Sequence, residues 1–363
     1  MIQHKDHFHG SDLEKIEAIY GIKKEDIVSF SANVNPLGIS TKLRNCLSEH
    51  LDAITTYPDR DYKDLKNCIG NYAGAEPEHI IVGNGSTELI SLFIQITAPK
   101  KAMILGPTYS EYEREITLNG GKTKYYPLPA ANDFHMDLED FKSHLTEDLD
   151  LLILCNPNNP TSTCIRTDMM REILDVCKES SIYVMVDETY IEFVENLKLC
   201  SAVPLVKSYN NIIILRGTSK FFAAPGLRLG YAITGNEDLL HQINKYKNPW
   251  MINSLAEVAG KLMFQDEEYI QKTRELIKDQ REKLYQMFLD SPKYTPFEPT
   301  ANFMLIRIDD PELNSALLFE KCIKEKMMIR DCSTFPFLSD RYIRICFMSE
   351  DDNLALAKCL LNA

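Results

Sequence analysis

Residues 151–190, LLILCNPNNPTSTCIRTDMMREILDVCKESSIYVMVDETY, carry the pattern that decides the fold. Leu151–Cys155 and Tyr183–Val186 are short apolar runs, each stopped abruptly by polar residues, as buried strands are. Between them, Thr167–Ser180 spaces its apolar residues as a helix with one buried face does. Strand, helix and strand of these lengths form a crossover unit, whose two strands lie parallel. The same alternation extends outward on both sides. Apolar runs recur at Ile80–Val82, Lys101–Leu105, Ile212–Leu215 and Leu229–Thr234, and helix-length amphipathic segments at Thr87–Thr97 and Ser110–Leu118. The prediction is an α/β fold with a mainly parallel sheet covered by helices.

From about Asn236 the pattern changes to a long charged helical stretch, Glu267–Leu289. A tail follows with strand-like Asn302–Ile308 and Tyr342–Phe347. This predicts a large domain over 31–245 and a smaller α+β domain over 246–363, with residues 1–30 as an arm packing on the smaller one. No internal repeat or Pro/Gly/Ser-rich linker divides the chain. A length of 363 residues suits two domains or one large α/β unit.

Composition narrows the function. With 44% apolar and 26% charged residues, the chain is that of an ordinary globular protein. A net charge of -13 disfavours nucleic acid and anionic lipid as partners, while leaving room for a local basic pocket. The ten cysteines are scattered, without a Cys-x-x-Cys pair, and read as reduced thiols in a cytoplasm. The start, MIQHKDHFHG, lacks the apolar core of a signal peptide, and the longest apolar run, Leu89–Ile96, is far short of a membrane span. The expectation is a cytoplasmic protein without membrane segments, and no metal is expected.

Polar residues follow the strands where ligands bind in open α/β sheets: NPNNPTS after Leu151–Cys155, DETY after Tyr183–Val186 and RGTSK after Ile212–Leu215. Lys220, in SKFFAAPGLRLGY at 219–231, directly follows a buried strand, and Arg228 stands eight residues on among glycines. A desolvated lysine near other cations loses its proton readily and can form a Schiff base; the plainer reading is a solvated surface lysine. Asp187 emerges from an entirely apolar strand and needs a cationic or protonated partner to stay ionised, with helix capping as the alternative. Tyr190, three residues on, could donate to a ligand oxygen. GNGSTE at 83–88 could hold a phosphate at a helix N-terminus or simply cap the helix through Ser86. It matches neither the dinucleotide fingerprint nor a P-loop, which argues against a nicotinamide dehydrogenase. Asn159 could present its amide at the sheet edge or belong to a plain turn, and Tyr109 could stack on an aromatic ligand or fill the core.

GNGSTE, PTYSEY, NPNNPT, DETY, SKFFAAPGLRLGY and a late RYIRI stand in the order and approximate spacing of the fold-type I pyridoxal-phosphate enzymes of the class I/II aminotransferase family. The resemblance runs from about Asn33 to Arg344. It implies pyridoxal 5'-phosphate as cofactor, with Lys220 as the Schiff-base lysine. It implies Asp187 as partner of the pyridine nitrogen, Asn159 and Tyr190 as donors to the ring hydroxyl oxygen, and Tyr109 stacked on the ring. Gly85, Ser86, Thr87, Ser219 and Arg228 would surround the phosphate, and Tyr57 of TYPD would reach it from the other subunit of a homodimer. Gly217 departs from the family, which carries Ser or Thr there, and so does Ser162, where the family has Gly. The first departure puts one phosphate contact in question, with Thr218 or Ser219 as replacements.

Within the family the chain is similar to two related branches, the threonine-phosphate decarboxylases and the histidinol-phosphate aminotransferases. HFHGSD at 7–12, FSANVNPLG at 30–38 and IRDCSTFPFLSDRYIRI at 329–345 lean towards the former. Carried over, His9, Gly10, Asn33, Asn159, Arg330 and Arg344 would bind a small phosphorylated amino-acid-like substrate. The alternatives are a disordered N-terminus for His9 and surface salt bridges for the arginines. Decarboxylation and transamination differ in which bond at the substrate Cα lies perpendicular to the ring, which sequence does not report. A transcription regulator built on this fold is disfavoured by the acidic balance and the lack of a helix-turn-helix.

Overall fold

The computed structural model describes residues 10–363. The strands are β1 Val28–Ser29, β2 Ile80–Asn84, β3 Lys101–Gly106, β4 Lys122–Pro127, β5 Leu151–Cys155, β6 Tyr183–Asp187, β7 Ile212–Gly217 and β8 Leu229–Ile233. They continue with β9 Tyr294–Pro296, β10 Phe303–Ile308, β11 Met327–Met328, β12 Arg330–Asp331 and β13 Tyr342–Cys346. Seven of them form one sheet in the order β2-β8-β7-β6-β5-β3-β4. β4, β3, β5, β6 and β7 run parallel, whereas β8 is antiparallel to both neighbours. The protein thus has the mainly parallel sheet that the sequence predicts.

Both faces of this sheet are covered at its centre, which is why its central strands are apolar throughout rather than alternating. Leu152, Leu154, Val184, Val186, Ile212 and Ile214 belong to one core. Their neighbours Leu151, Ile153, Met185, Ile213 and Leu215 belong to the other. Adjacent strand residues point to opposite faces, so each strand feeds both cores, at about 1.5–3 kcal/mol per buried aliphatic side chain. β4 is absent from the sequence reading. Its segment, KTKYYP, lies at a sheet edge where it is only partly covered, and it keeps polar residues; the other edge strand, β2, is buried and keeps its apolar run.

β12, β13, β10 and β9 make a second, antiparallel sheet in that order. β1 pairs parallel with β11, so the segment before residue 30 is tied to the C-terminal part of the chain. Helix Leu13–Tyr20 reinforces this: Tyr20 donates to Glu320 at 2.5 Å and packs on Phe319. Helix Ser254–Met263, which the sequence pattern assigns to the smaller unit, packs on the large one. A Cβ on Gly260 would lie 2.6 Å from Leu65 and 2.7 Å from Leu229, and Ser254 donates to the Thr56 carbonyl at 2.8 Å. The change of packing therefore falls later than residue 246, at the long helix Glu267–Leu289. Among the described residues, no helix is long and apolar enough to cross a membrane.

Candidate active site

The parallel strands end together. Register pairs Cys155 with Asp187 and Asp187 with Leu215, so the turns after β5, β6 and β7 emerge side by side. This brings NPNNP, DETY and the Lys220 loop to one rim.

Lys220 is partly buried, and its Nζ donates to the Ala32 carbonyl at 2.6 Å. Burial, with the Arg344 guanidinium adding repulsion, lowers its pKa to about 8. Both effects penalise the ammonium, so the lysine holds its proton weakly near neutrality. FSANVNPLG fixes the loop from the other side. The Asn35 N–H donates to the Lys220 carbonyl at 3.0 Å, and the Asn35 amide donates to the Phe221 carbonyl at 2.8 Å, to Tyr269 at 2.9 Å and to Thr273 at 2.8 Å. Asn35 was not singled out in the sequence; its signal was only its place in the motif beside Asn33.

Asp187 is buried at the end of β6 and accepts three hydrogen bonds. They come from the Tyr112 hydroxyl at 2.7 Å, the Thr189 N–H at 2.9 Å and the Thr189 hydroxyl at 2.5 Å. Burial still raises its pKa, since none of these donors is a cation. Such a carboxylate is set to take a protonated ring nitrogen. The sequence reading missed Tyr112, although PTYSEY places it three residues after Tyr109, in the first turn of helix Glu111–Leu118. Tyr109 meets Tyr112 edge to face with centroids 5.5 Å apart, and burial raises its pKa, with Tyr190 and Asp187 among the nearby charges.

Asn159, Tyr190, Asn33 and Arg344 also converge. The Asn33 amide donates to the Tyr190 hydroxyl at 3.4 Å, and burial pushes the Tyr190 pKa up to about 12. Arg344 donates to the Asn159 side-chain oxygen and, at 2.5 Å, to the Ser31 carbonyl. Its Nε, the Asn33 side-chain oxygen and the Ser31 hydroxyl are buried without a hydrogen-bond partner. Three buried groups left unsatisfied around one guanidinium mark a place for a polar ligand. Asn33 holds φ 54°, and its carbonyl accepts from Asn302 at 3.0 Å.

Arg330 pairs with Arg344 directly across β12 and β13, so both guanidinium groups come from one face of the small sheet. Arg330 donates to Thr334 at 3.1 Å and lies 5.2 Å from the Phe335 ring centroid; burial lowers its pKa, with Arg344 contributing. Gly10 sits close to this pair. A Cβ there would fall 2.5 Å from the Ser31 carbonyl oxygen, the one that Arg344 holds. His9 lies outside the described residues.

A separate cradle forms where helix Ser86–Thr97 begins. Helices Thr41–Glu49, Glu237–Tyr246, Ser254–Met263, Ser315–Lys324 and Glu350–Leu361 are capped by a Ser or Asn side chain, but this one starts at Gly85, φ 83°, with no side-chain cap. Its first N–H groups thus remain available to an anion. The alternative of a Ser86 cap is not realised: Ser86 is the first helical residue. A Cβ on Gly85 would lie 2.4 Å from Arg228 Nη2, and one on Gly230 would lie 2.5 Å from the Ser86 nitrogen. Glycine at both positions lets the guanidinium and β8 close on the helix end. Arg228 donates to the Asn84 and Pro225 carbonyls, each at 3.3 Å. A Cβ on Gly217 would have Ser86 Oγ at 3.8 Å and Ser219 Oγ at 3.9 Å, so both hydroxyls border the same space. Thr87 follows in the first turn.

These groups fit pyridoxal phosphate: an amine of low basicity, a buried carboxylate, and a glycine-lined helix end with a guanidinium for phosphate. Tyr57 is 78% exposed and stacks on Trp250 with centroids 4.5 Å apart. Among the described residues, no group of three or more His, Cys, Asp or Glu could hold a metal ion.

Comparison with known proteins agrees with this chemistry. The family model for class I and II aminotransferases matches residues 25–360, and the chain belongs to that family. It is a pyridoxal-phosphate-dependent enzyme. It is 36% identical over 329 residues, 91% of this chain and 88% of the other, to a Caldanaerobacter subterraneus subsp. tengcongensis protein provisionally named threonine-phosphate decarboxylase. It is 31% identical over 354 residues, 98% of this chain and 96% of the other, to the threonine-phosphate decarboxylase of Salmonella typhimurium. The crystal structure of the histidinol-phosphate aminotransferase from Clostridium acetobutylicum superposes with a TM-score of 0.85 at 32% identity, covering 92% of this chain and 98% of that one.

Proposed function

We propose that this member of the class I and II aminotransferase family decarboxylates a small phosphorylated amino acid, with L-threonine O-3-phosphate as substrate. The observation that carries the reading is the seat of Gly10 on Ser31, whose carbonyl Arg344 holds. The N-terminal arm thereby reaches the anion-binding side of the site, where a substrate with both a phosphate and a carboxylate needs more donors than one arginine supplies. Arg344 would take the carboxylate, and Arg330, His9 and Gly10 the phosphate, each cation forming paired charge-assisted hydrogen bonds. Asn33 would complete the substrate shell.

Lys220 would attach the cofactor, and Ser86, Thr87, Ser219, Gly85 and Arg228 would hold its phosphate. Asp187, oriented by Tyr112 and Thr189, would keep the ring nitrogen protonated; Asn159 and Tyr190 would donate to the ring hydroxyl oxygen, and Tyr109 would cover the ring. When bound, the cofactor supplies the conjugated sink that accepts the electron pair released at the substrate Cα. The chain's contribution is orientation. Arg344 fixes the carboxylate from the small sheet, and so fixes which Cα bond stands across the ring. Lys220, with its pKa near 8, can then hold or return the proton at Cα.

The second reading is transamination of histidinol phosphate with 2-oxoglutarate, favoured by the likeness to the Clostridium acetobutylicum structure. Incubation with O-phosphothreonine, and separately with histidinol phosphate plus 2-oxoglutarate, decides between them. Carbon dioxide from the first supports decarboxylation; glutamate from the second without carbon dioxide from the first refutes it.

We also propose a homodimer in a reducing cytoplasm. Leu51, Ile54, Tyr57 and Trp250 are exposed apolar side chains around one loop and its neighbour, a surface that association would cover. Tyr57 would then reach the cofactor phosphate of the second subunit.

A further inference from the structure

The turn NPNNPTS ends in Ser162, which has no part in the chemistry described so far. Ser162 is fully buried and holds φ 61°, a left-handed backbone that favours glycine and costs any other residue free energy. Its own turn imposes the conformation. The Ser162 N–H donates to the Asn158 carbonyl at 2.7 Å and the Asn158 N–H to the Thr163 carbonyl at 2.8 Å, which closes the chain around Asn159. A glycine would sit there without strain; what a serine adds is its hydroxyl.

That hydroxyl holds the small sheet. Thr300 and Ala301 belong to the turn between β9 and β10, and both donate to Ser162 Oγ, the Thr300 N–H at 3.2 Å and the Ala301 N–H at 2.9 Å. The Thr300 N–H and hydroxyl also donate to the Ser162 carbonyl, the N–H at 3.1 Å. The Thr300 carbonyl is held as well, by Arg281 of the long helix at 2.7 Å. The residues that follow this turn support the site. Asn302 donates to the Asn33 carbonyl at 3.0 Å, and Phe303, which opens β10, has its ring centroid 4.9 Å from that of Tyr190 and 5.4 Å from Arg344 Cζ. Arg344, on the neighbouring strand β13, donates to the Asn159 side-chain oxygen. The contacts close a ring: Asn159 and Ser162 share one turn, and Ser162, Ala301, Phe303 and Arg344 lead back to Asn159.

We propose that Ser162 is a positioning residue for the reaction. Its hydroxyl clasps the β9–β10 turn to NPNNPTS and so sets Arg344 against Asn159, resting on the assignment of these two residues to the substrate carboxylate and the ring hydroxyl oxygen.

Two substitutions separate the hydroxyl from the backbone strain. Ser162→Ala removes both hydrogen bonds to Oγ and keeps the strain, whereas Ser162→Gly removes them and relieves it. The Ala variant should therefore melt lower than the Gly variant when both are free of cofactor. Both should nevertheless raise KM about tenfold while lowering kcat less than about threefold, because a displaced binding group costs affinity before it costs chemistry. KM is measured with O-phosphothreonine, or for 2-oxoglutarate with histidinol phosphate if the parent turns over that pair instead. In both loaded variants the pH at which the bound cofactor's absorbance changes should move up by about 0.5 unit, since a donor held less firmly favours the anionic ring oxygen less. Parental KM and parental absorbance midpoint in both variants would overturn the proposal. So would changes seen in Ser162→Ala and absent from Ser162→Gly, which would make the residue a support of the fold alone. A parent that turns over neither substrate would sink the proposed reaction, while the absorbance comparison would still decide the role of Ser162.

Discussion

Gly217 offers the sharpest test of the phosphate cradle. The strand residue has no side chain, yet a Cβ there meets nothing closer than the Leu229 carbonyl at 3.7 Å, Ser86 Oγ at 3.8 Å and Ser219 Oγ at 3.9 Å. Those are ordinary contact distances, so serine enters without displacing a neighbour. Its hydroxyl would join two others bordering the cradle. A hydrogen bond to a charged group contributes about 1.5–3 kcal/mol, and competition with the two existing serines argues for the low end. Gly217→Ser should therefore tighten cofactor binding about tenfold, since about 1.4 kcal/mol is one decade in affinity. Replacing glycine within a strand also stabilises the fold by about 0.5–1 kcal/mol whatever the side chain, so Gly217→Ala is the necessary control. The assay is titration of cofactor-free protein with pyridoxal phosphate, read by absorbance, beside melting curves of the unloaded proteins. Both variants should melt higher than the parent, but only serine should bind the cofactor more tightly. If Gly217→Ser binds no better than Gly217→Ala, the space beside Ser86 and Ser219 does not face the phosphate, and the cradle has been placed wrongly.

Borohydride treatment of the loaded enzyme should fix the cofactor on Lys220, as peptide mapping would show; an adduct on another lysine removes the central assignment. In the cofactor-free protein, Lys220 has a pKa of about 8 against 10.5 in the unfolded chain, so between those values the unfolded state binds more protons and stability rises with pH. Lys220→Met should lack this increment when melting temperatures of the two proteins are compared from pH 8 to 10; an identical rise in both sinks the argument. Asp187→Ala should lower turnover by about 100-fold or more while leaving cofactor attachment largely intact, and Tyr112→Phe, which removes one of the three donors to that carboxylate, should lower it less. Near-normal turnover in Asp187→Ala would take away its proposed role. Arg344→Ala should weaken binding of carboxylate-bearing ligands by about 1.5–3 kcal/mol, and deletion of residues 1–10 should reduce preference for the phosphorylated over the unphosphorylated amino acid, both read by ligand titration; a preserved preference would turn the reading towards the aminotransferase branch.

What sequence conveyed and what it withheld follow from the range of the interactions. The strands ending at Cys155, Asp187 and Gly217 were legible because burial on both faces leaves an unbroken apolar run, and the polar residue after each run is then conspicuous. β4 was not, because this edge strand is only partly covered and keeps polar side chains, whereas β2 at the other edge is buried and keeps the contrast. Helix Ser254–Met263 has the same amphipathic pattern whichever unit it packs on, so its place against Leu65 and Leu229 could only come from tertiary structure.

The site shows the same division more sharply. Residue types announced the chemistry, but the properties that make it work arise between segments far apart in the chain. The low basicity of Lys220 comes from its burial and, after that, from Arg344, brought to it from the small sheet; its loop is pinned by Asn35, whose own partners Tyr269 and Thr273 lie on the long helix. The pairing of Arg330 with Arg344 is a matter of strand register: a shift of one residue would send one of the two side chains to the opposite face. Asp187 was expected to need a cation, yet the chain itself supplies only neutral donors, Tyr112 and Thr189. That leaves the carboxylate oriented but not neutralised, with a raised pKa that a protonated ring nitrogen would bring back down. The fold thus withholds from Asp187 the one interaction that the cofactor would supply.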